Sequence, residues 1–377
     1  MLFEKVGEMM SFKTLVINPG STSTKIAIFE DQYLLLGRNI EYADNELHQF
    51  KELMDQKQFR INSIIEFMAN SHVDFNQIDA YVGRGGLMKP IPGGTYNVDM
   101  SMINDLTSGN YGLHAANLGA IIANYFATMY NKPAFVVDPV VVDEFEPVAY
   151  LSGYKSWDRR SVFHALNQKA VAREALAKVG KRYNEGNAIV AHLGGGISVG
   201  AHRHGKVVDV NNGLDGDGTF SPNRTGSISA ISLIDYIYNQ RPTRNEAIHL
   251  ITHQGGLKSY LGTDDLRVVE QKIANGDEYA ELIFNALVYQ IAKEIGKQAT
   301  VLDGNVDAIA FTGGMAHSEM LMKALIQKTV WIAPIQIFPG EMEMEALNLG
   351  VQRVLTQTES AKDYVKESEA LKNGKRI

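Results

Sequence analysis

Two arginines stand in glycine-rich stretches, one in each half of the chain: Arg84 in "GRGGLMKPIPGG" and Arg224 in "GDGTFSPNRTGS". A guanidinium offers a planar fork that matches the oxygens of a carboxylate or a phosphoryl group. Three more glycine-rich turns each follow an apolar, strand-like run. They are "NPGSTSTK" from Asn18 to Lys25, "GGG" from Gly194 to Gly196, and "TGG" from Thr312 to Gly314. Glycine lets the backbone approach a ligand, and successive N–H groups in such turns form concavities that hold anions. One such turn is equally a tight hairpin; three at matching places point to the phosphates of a nucleotide. No GxxxxGK[ST] pattern occurs, so the chain is not a P-loop protein. Asp138 closes the apolar run of "FVVDP", a good position for a carboxylate that holds metal-bound water, orients an arginine or simply caps a turn. His192, just before "LGGG", can contact a β- or γ-phosphate or pack at a strand end. Two histidine pairs, His202/His204 and His249/His253, lack a third ligand nearby in sequence and read as packing or solvated groups rather than zinc sites.

The elements that must position these groups alternate between strand and helix patterns. Leu15–Asn18, Lys25–Phe29 and Leu34–Glu41 read as strands, Asn45–Asn70 as helical, and Asp79–Val82 as a short strand leading to Arg84. Helical patterns at Met100–Leu106 and His114–Tyr130 precede a strand at Ala134–Val137. The second half repeats the theme. A helix over His164–Val179 leads to strands at Ala188–Leu193, Ile197–His202 and Val207–Val210. Broken helices run from Ser227 to Ala274, followed by a long one over Glu278–Leu302. Then come the strand of "DAIAFTGG", another at Gln336–Phe338 and a helix over Glu343–Gln357. Two β-β-β-α-β-α units in tandem make a duplicated α/β chain with a ligand cleft expected between the halves. The expected domains are 13–160 plus 343–377, and 161–342. The polar tail "KESEALKNGKRI" is expected to fray.

Bulk properties narrow the class. The chain has 377 residues, enough for two domains, with 45% hydrophobic and 21% charged residues. A net charge of −7 argues against a general binder of nucleic acid or of anionic membranes. With no cysteine there is no disulfide, thiolate metal site or cysteine nucleophile. The opening "MLFEKVGEMMSFK" has no apolar core of a secretory signal, and no apolar run approaches the ~20 residues of a membrane span. The expectation is a cytoplasmic protein.

Together the blocks resemble the acetokinase family, within the superfamily of acetate and sugar kinases, heat-shock ATPases and actin. "INPGSTSTK" is similar to that family's first signature, "HLGGGISVGA" to its second phosphate motif, and "VDVNNGLDGDGTFSPNRTGSI" to the segment ending in its catalytic arginine. "FTGGMAHSEM" and "FPGEMEME" complete the order, so the likeness runs from residue 14 to about 355. "GRGG…PIPGG" and "GDGTFSPNRTGS" look most like the branch that acts on butyrate. The resemblance implies two actin-like, ribonuclease-H-like domains, each with a mixed five-stranded sheet flanked by helices. It implies reversible phosphoryl transfer from ATP to a short-chain carboxylate, butyrate or isobutyrate, giving an acyl phosphate and ADP, with Mg²⁺. Acetate and propionate are the rival substrates, and a non-enzymatic actin-like ATP switch is the distant alternative. A homo-oligomer built from dimers is implied as well.

Residue by residue, the resemblance gives Arg84 the substrate carboxylate and Arg224 the transferring phosphoryl group. His164 would donate to that group, and His114 would help bind it or the acid. Asn18, Ser21, Ser23 and Lys25 fall on the first motif, though Lys25 as a strand residue equally reaches solvent. His192, Gly194, Gly195 and Gly196, and Thr312, Gly313, Gly314 and His317, would hold the nucleotide. Asn18 and Glu343 would serve Mg²⁺, Glu343 being favoured over Glu341 and Glu345 by its spacing from the Pro-Gly turn. Two departures stand out: Gln168 where acetate-specific members carry histidine, and Gly195 where they carry asparagine. Gly86, two after Arg84, replaces a valine of those members and is expected to open an acyl pocket walled by Leu113 and Phe163.

Overall fold

The structure, a computed structural model, describes residues 11–374. The chain divides into two compact units. One holds the described residues up to Val141 together with those from Glu343 onward, and the other holds Val142–Met342.

In the first unit, β1 (Lys13–Pro19), β2 (Ser23–Glu30) and β3 (Tyr33–Glu41) form an antiparallel meander. Strands β4 (Ala80–Gly83) and β6 (Ala134–Val137) extend it in parallel, with β5 (Thr95–Asn97) antiparallel at the far edge. The order is β3-β2-β1-β4-β6-β5. In the second unit, β7 (Asn187–Leu193), β8 (Ile197–Arg203) and β9 (Lys206–Val210) repeat the meander. There β10 (Ala308–Gly313) and β11 (Ile335–Pro339) take the parallel places, in the order β11-β10-β7-β8-β9. Both sheets therefore run outward from the same meander, as the duplicated pattern implied.

The central strands are near-continuous apolar runs because helices cover both faces. On β7 and β10, Ile189, Ala191, Leu193, Ile309 and Phe311 face one core, which includes Leu287, Ile291 and Ile295 of the helix Glu278–Val301. The alternate residues Ala188, Val190, Ala308 and Ala310 face another, with Val171, Ala172 and Leu176 of the helix Ala165–Lys178. The small residues on that second face let the helix lie close.

Three features differ from expectation. The first sheet has a sixth strand, the three-residue β5, too short to show a period. Residues 142–160, expected in the first unit, pack in the second: Val142, Phe145 and Ala149 join Phe163, Val207 and Val210 in one apolar cluster. The polar tail is helical over Tyr364–Gly374, because Tyr364 is fully buried. Its hydroxyl donates to Asp105 at 2.7 Å and accepts from the Lys89 N–H at 3.0 Å. Residues 375–377 of that tail, and the 1–10 segment read for a leader, lie outside the described residues. No helix among the described residues is long and apolar enough to cross a membrane.

Candidate active site

The end of β1 and the start of the helix Glu343–Leu355 build the first cluster. Asn18 is buried at the end of β1, and its Nδ2 donates to Glu343 Oε2 at 2.8 Å. The other carboxylate oxygen of Glu343 is ion-paired with Arg84 Nη1. Burial acts to raise the pKa of Glu343, but the charge and hydrogen bond of Arg84, the amide of Asn18 and the charge of Lys25 together hold it below its ordinary value. Glu343 is thus the ionised centre of the cluster. Glu345 is exposed, and Glu341 lies 4.0 Å from His192 Nε2 in the second unit. Lys25 is exposed and sits opposite Asn18 in the β1–β2 register. His114 Nδ1 accepts from the Ala116 N–H at 3.2 Å. Displaced water, then the nearby Arg84 charge, keep the His114 pKa below the usual imidazole value.

Asp138 has φ +37°, in the left-handed region that costs a non-glycine residue on the order of 1–3 kcal/mol. Its carboxylate accepts from the Gly94 N–H at 2.7 Å, and its own N–H donates to the Gly94 carbonyl. It braces the turn in the loop that carries Arg84. Ser21 is exposed and Ser23 half-buried in the β1–β2 turn. Sequence reasoning missed Arg60, which underlies that turn. Its fully buried guanidinium donates to the Ser23 carbonyl and Thr24 Oγ1, both at 2.8 Å, and to the Ser21 carbonyl at 3.3 Å. No motif marks it; it is one arginine within a helical pattern.

The acyl-pocket expectation needs correction. A Cβ on Gly86 would run into the backbone and side chain of Asn117, so the glycine serves a close approach and opens no hole. Phe163 is 3% exposed within the apolar cluster of the second unit, where its ring is committed to the core. Leu113 is 48% exposed, on the loop beside Gly109.

In the second unit, Arg224 lies over the second glycine turn. A side chain on Gly196 would occupy the place of its guanidinium. Its Nη1 donates to the Gly213 carbonyl, while Nε is buried without a hydrogen-bond partner among the described residues. Burial lowers its pKa, with Asp215 opposing weakly. A desolvated cation with a spare donor is a ready partner for an anion.

His164 caps the helix Ala165–Lys178, and His192 ends β7. Their rings stack at 3.7 Å between centroids and 9° between planes. His192 Nδ1 lies 2.8 Å from Asn167 Oδ1. The third turn is laced to the Pro-Gly loop: Gly313 and Gly340 exchange backbone hydrogen bonds, and Thr312 Oγ1 donates to the Gly340 carbonyl at 3.1 Å. Between the second and third turns lies a cavity of about 660 Å³, lined by Gly194, Gly195, Asn223, Leu266, Gly314 and His317 among others. The described residues hold no group of three or more His, Cys, Asp or Glu side chains placed to bind a metal. His249 and His253 simply stack, at 4.8 Å.

Two solved structures share this fold. The Porphyromonas gingivalis acetate kinase is 18% identical with a TM-score of 0.76, over 92% of this chain and 100% of its own. A propionate kinase from Francisella tularensis is 19% identical with a TM-score of 0.68, over 90% and 98%. The two sheets are thus those of an actin-like ATPase fold. The profile of the acetokinase family matches residues 148–366. A protein of Enterococcus faecalis named as a probable butyrate kinase is 51% identical over 350 residues, 93% of this chain and 97% of its own. The chain belongs to the acetokinase family and is a carboxylate kinase.

Proposed function

We propose that this kinase catalyses butyrate + ATP = butyryl phosphate + ADP, reversibly and by direct in-line transfer. The observation that carries the reading is the pair of mostly buried guanidinium groups at glycine-rich strand ends, Arg84 beside Asn18 and Glu343, and Arg224 over Gly196. A carboxylate is already ionised at neutral pH, so the reaction needs no general base. It needs positive charge to bring two anions together and to stabilise the equatorial phosphoryl oxygens. An ATP switch needs phosphate turns but no second arginine for an acceptor.

Arg84, with Glu343 fixing Nη1, presents the rest of its fork to the acid, and His114 stands by to help bind it. Arg224 and His164 serve the transferring phosphoryl group. The glycine turns take the phosphates, and the 660 Å³ cavity takes the adenosine. Asn18 and Glu343 supply the hard oxygen donors that suit Mg²⁺, an ion that keeps several waters and binds through few carboxylates plus substrate phosphates. When bound, it neutralises phosphate charge. Butyrate is favoured over acetate and propionate by the name of the relative at 51% identity.

The test is a hydroxylamine trap for acyl phosphate, with ATP, Mg²⁺ and acids of C2 to C6. Two methylenes at about 0.8 kcal/mol each give a roughly 15-fold preference for C4 over C2 in kcat/KM. Acetate as the best substrate would overturn the butyrate assignment, and no hydroxamate with any acid would overturn the reaction.

A further inference from the structure

His164 Nδ1 lies 2.9 Å from Ser198 Oγ, and a chain of buried groups continues inward from there. Gln168 Nε2 is 2.7 Å from Ser198 Oγ and 2.9 Å from the Ser198 carbonyl. Gln168 Oε1 is 3.2 Å from His202 Nε2, and His202 Nδ1 is 3.0 Å from the Tyr183 hydroxyl. Gln168, Ser198 and His202 are each 0% exposed, with the Gln168 amide in the space left by Gly200. At this depth of burial each polar hydrogen is matched to an acceptor within the protein.

That requirement orders the protons along the chain. A backbone carbonyl only accepts, so the Gln168 atom facing it is the amide nitrogen. Oε1 therefore faces His202 and accepts, which places the His202 hydrogen on Nε2. The bare Nδ1 of His202 accepts from Tyr183. Burial, then the charge of Lys169, push the His202 pKa down to about 3, so the ring is neutral as this arrangement needs. Gln168 gives its second amide hydrogen to Ser198 Oγ. The Ser198 hydroxyl hydrogen is then left for His164 Nδ1.

We propose that Tyr183, His202, Gln168 and Ser198 form a relay that fixes His164 as a neutral imidazole with its hydrogen on Nε2. The opposite tautomer would turn a lone pair, not an N–H, toward an anion. A neutral His164 also suits its stacking on His192, where two charged rings would repel. Gln168 and Ser198 are positioning residues, and the functional consequence rests on the reading of His164 as the donor to the phosphoryl group.

Long-range ¹H–¹⁵N NMR of the full chain labelled at histidine reads the tautomer directly, with His164 assigned from the signal lost in His164→Asn. The wild type should show the Nε2–H pattern at neutral pH. An Nδ1–H or charged His164 there would overturn the relay without any need for a variant. Ser198→Ala should bring in the Nδ1–H form and lower kcat by roughly 10–100-fold with KM little changed, the range seen when a histidine loses its orienting partner in metal sites. Ser198→Thr, which keeps the hydroxyl, should restore both. An unchanged tautomer in Ser198→Ala would also overturn the proposal. If His164→Asn keeps full kcat, the donor role fails while the tautomer assignment stands. If His164→Asn is inactive but the wild-type tautomer is wrong, the relay alone fails.

Discussion

Replacing Gly86 by valine puts three carbons where the structure has the first residue of a helix. An added Cβ would lie 2.6 Å from both Cα and the backbone N of Asn117, which opens the helix Asn117–Tyr130. Backbone atoms cannot swing aside as the tip of a side chain can. The Asn117 side chain is also engaged: it accepts from the Leu87 N–H at 2.9 Å and donates to the carbonyls of Leu106 at 2.9 Å and Gly112 at 3.2 Å. Overpacking costs about 1–3 kcal/mol, and each lost hydrogen bond adds on the order of 1 kcal/mol. A cost of about 3 kcal/mol lowers Tm by roughly 6–12 °C in a unit of this size.

The first added carbon causes the overlap, so Gly86→Ala should show most of the effect. Because Leu87 and Arg84 share one loop, hydroxamate formation from acetate and from butyrate should fall by similar factors in both variants. Thermal melts and kcat/KM for the two acids decide the matter. A Gly86→Val protein with wild-type Tm, butyrate turnover lost and acetate turnover spared would refute the packing argument and restore the glycine to an acyl pocket.

Arg224→Ala should lower kcat by roughly 10²–10³-fold, the usual consequence of losing one donor that stabilises developing charge, with a much smaller change in ATP affinity; a variant with wild-type kcat would remove Arg224 from the transfer. Glu343 carries a pH signature: its folded pKa lies below the ordinary 4.5, so its contribution to stability is complete above that value and is lost as pH falls through the folded value. Glu343→Gln should therefore be less stable at neutral pH and lose less on acidification below about pH 4.5, as read from urea midpoints against pH; parallel curves for the two proteins would show that the Arg84 pair does not set the titration.

Alternation and glycine placement made most of the fold legible. The runs at Leu15–Asn18 and Ala188–Leu193 became strands because both of their faces are covered, which leaves a continuous apolar signature. Strand β5 escaped because three residues cannot show a period. The boundary near Val141 escaped because an apolar cluster across Val142, Phe145 and Val207 has no local pattern. The clustering of Asn18, Arg84 and Glu343 was foreshadowed by motifs, since each sits next to a turn that announces itself. The wall assigned to Phe163 was misplaced because sequence spacing cannot say which way a side chain points. Phe163 follows a loop and precedes a helix, and its ring belongs to the core beneath them.

The turn after β1 shows how a distant residue underpins a hairpin. Within "GSTS" the hairpin's own bond runs from the Gly20 N–H to the Ser23 carbonyl. Arg60 adds to it: its buried guanidinium donates to the carbonyls of both Ser21 and Ser23. Each peptide is planar, so a carbonyl held inward turns the following N–H the other way. No carboxylate is described on Arg60; Gln56 Oε1 completes its shell at 2.9 Å from Nη2, and the Tyr42 ring lies 5.1 Å from its Cζ. Burial lowers its pKa, but a guanidinium stays charged at any working pH. A net positive charge therefore underlies the turn, and in a low-dielectric setting such a charge acts over several ångströms. The same logic recurs in the second unit, where Arg224 lies over Gly196. In each sheet a glycine-containing turn is paired with an arginine from a distant segment, so backbone amides and a fixed positive charge lie together where neither motif alone would place both.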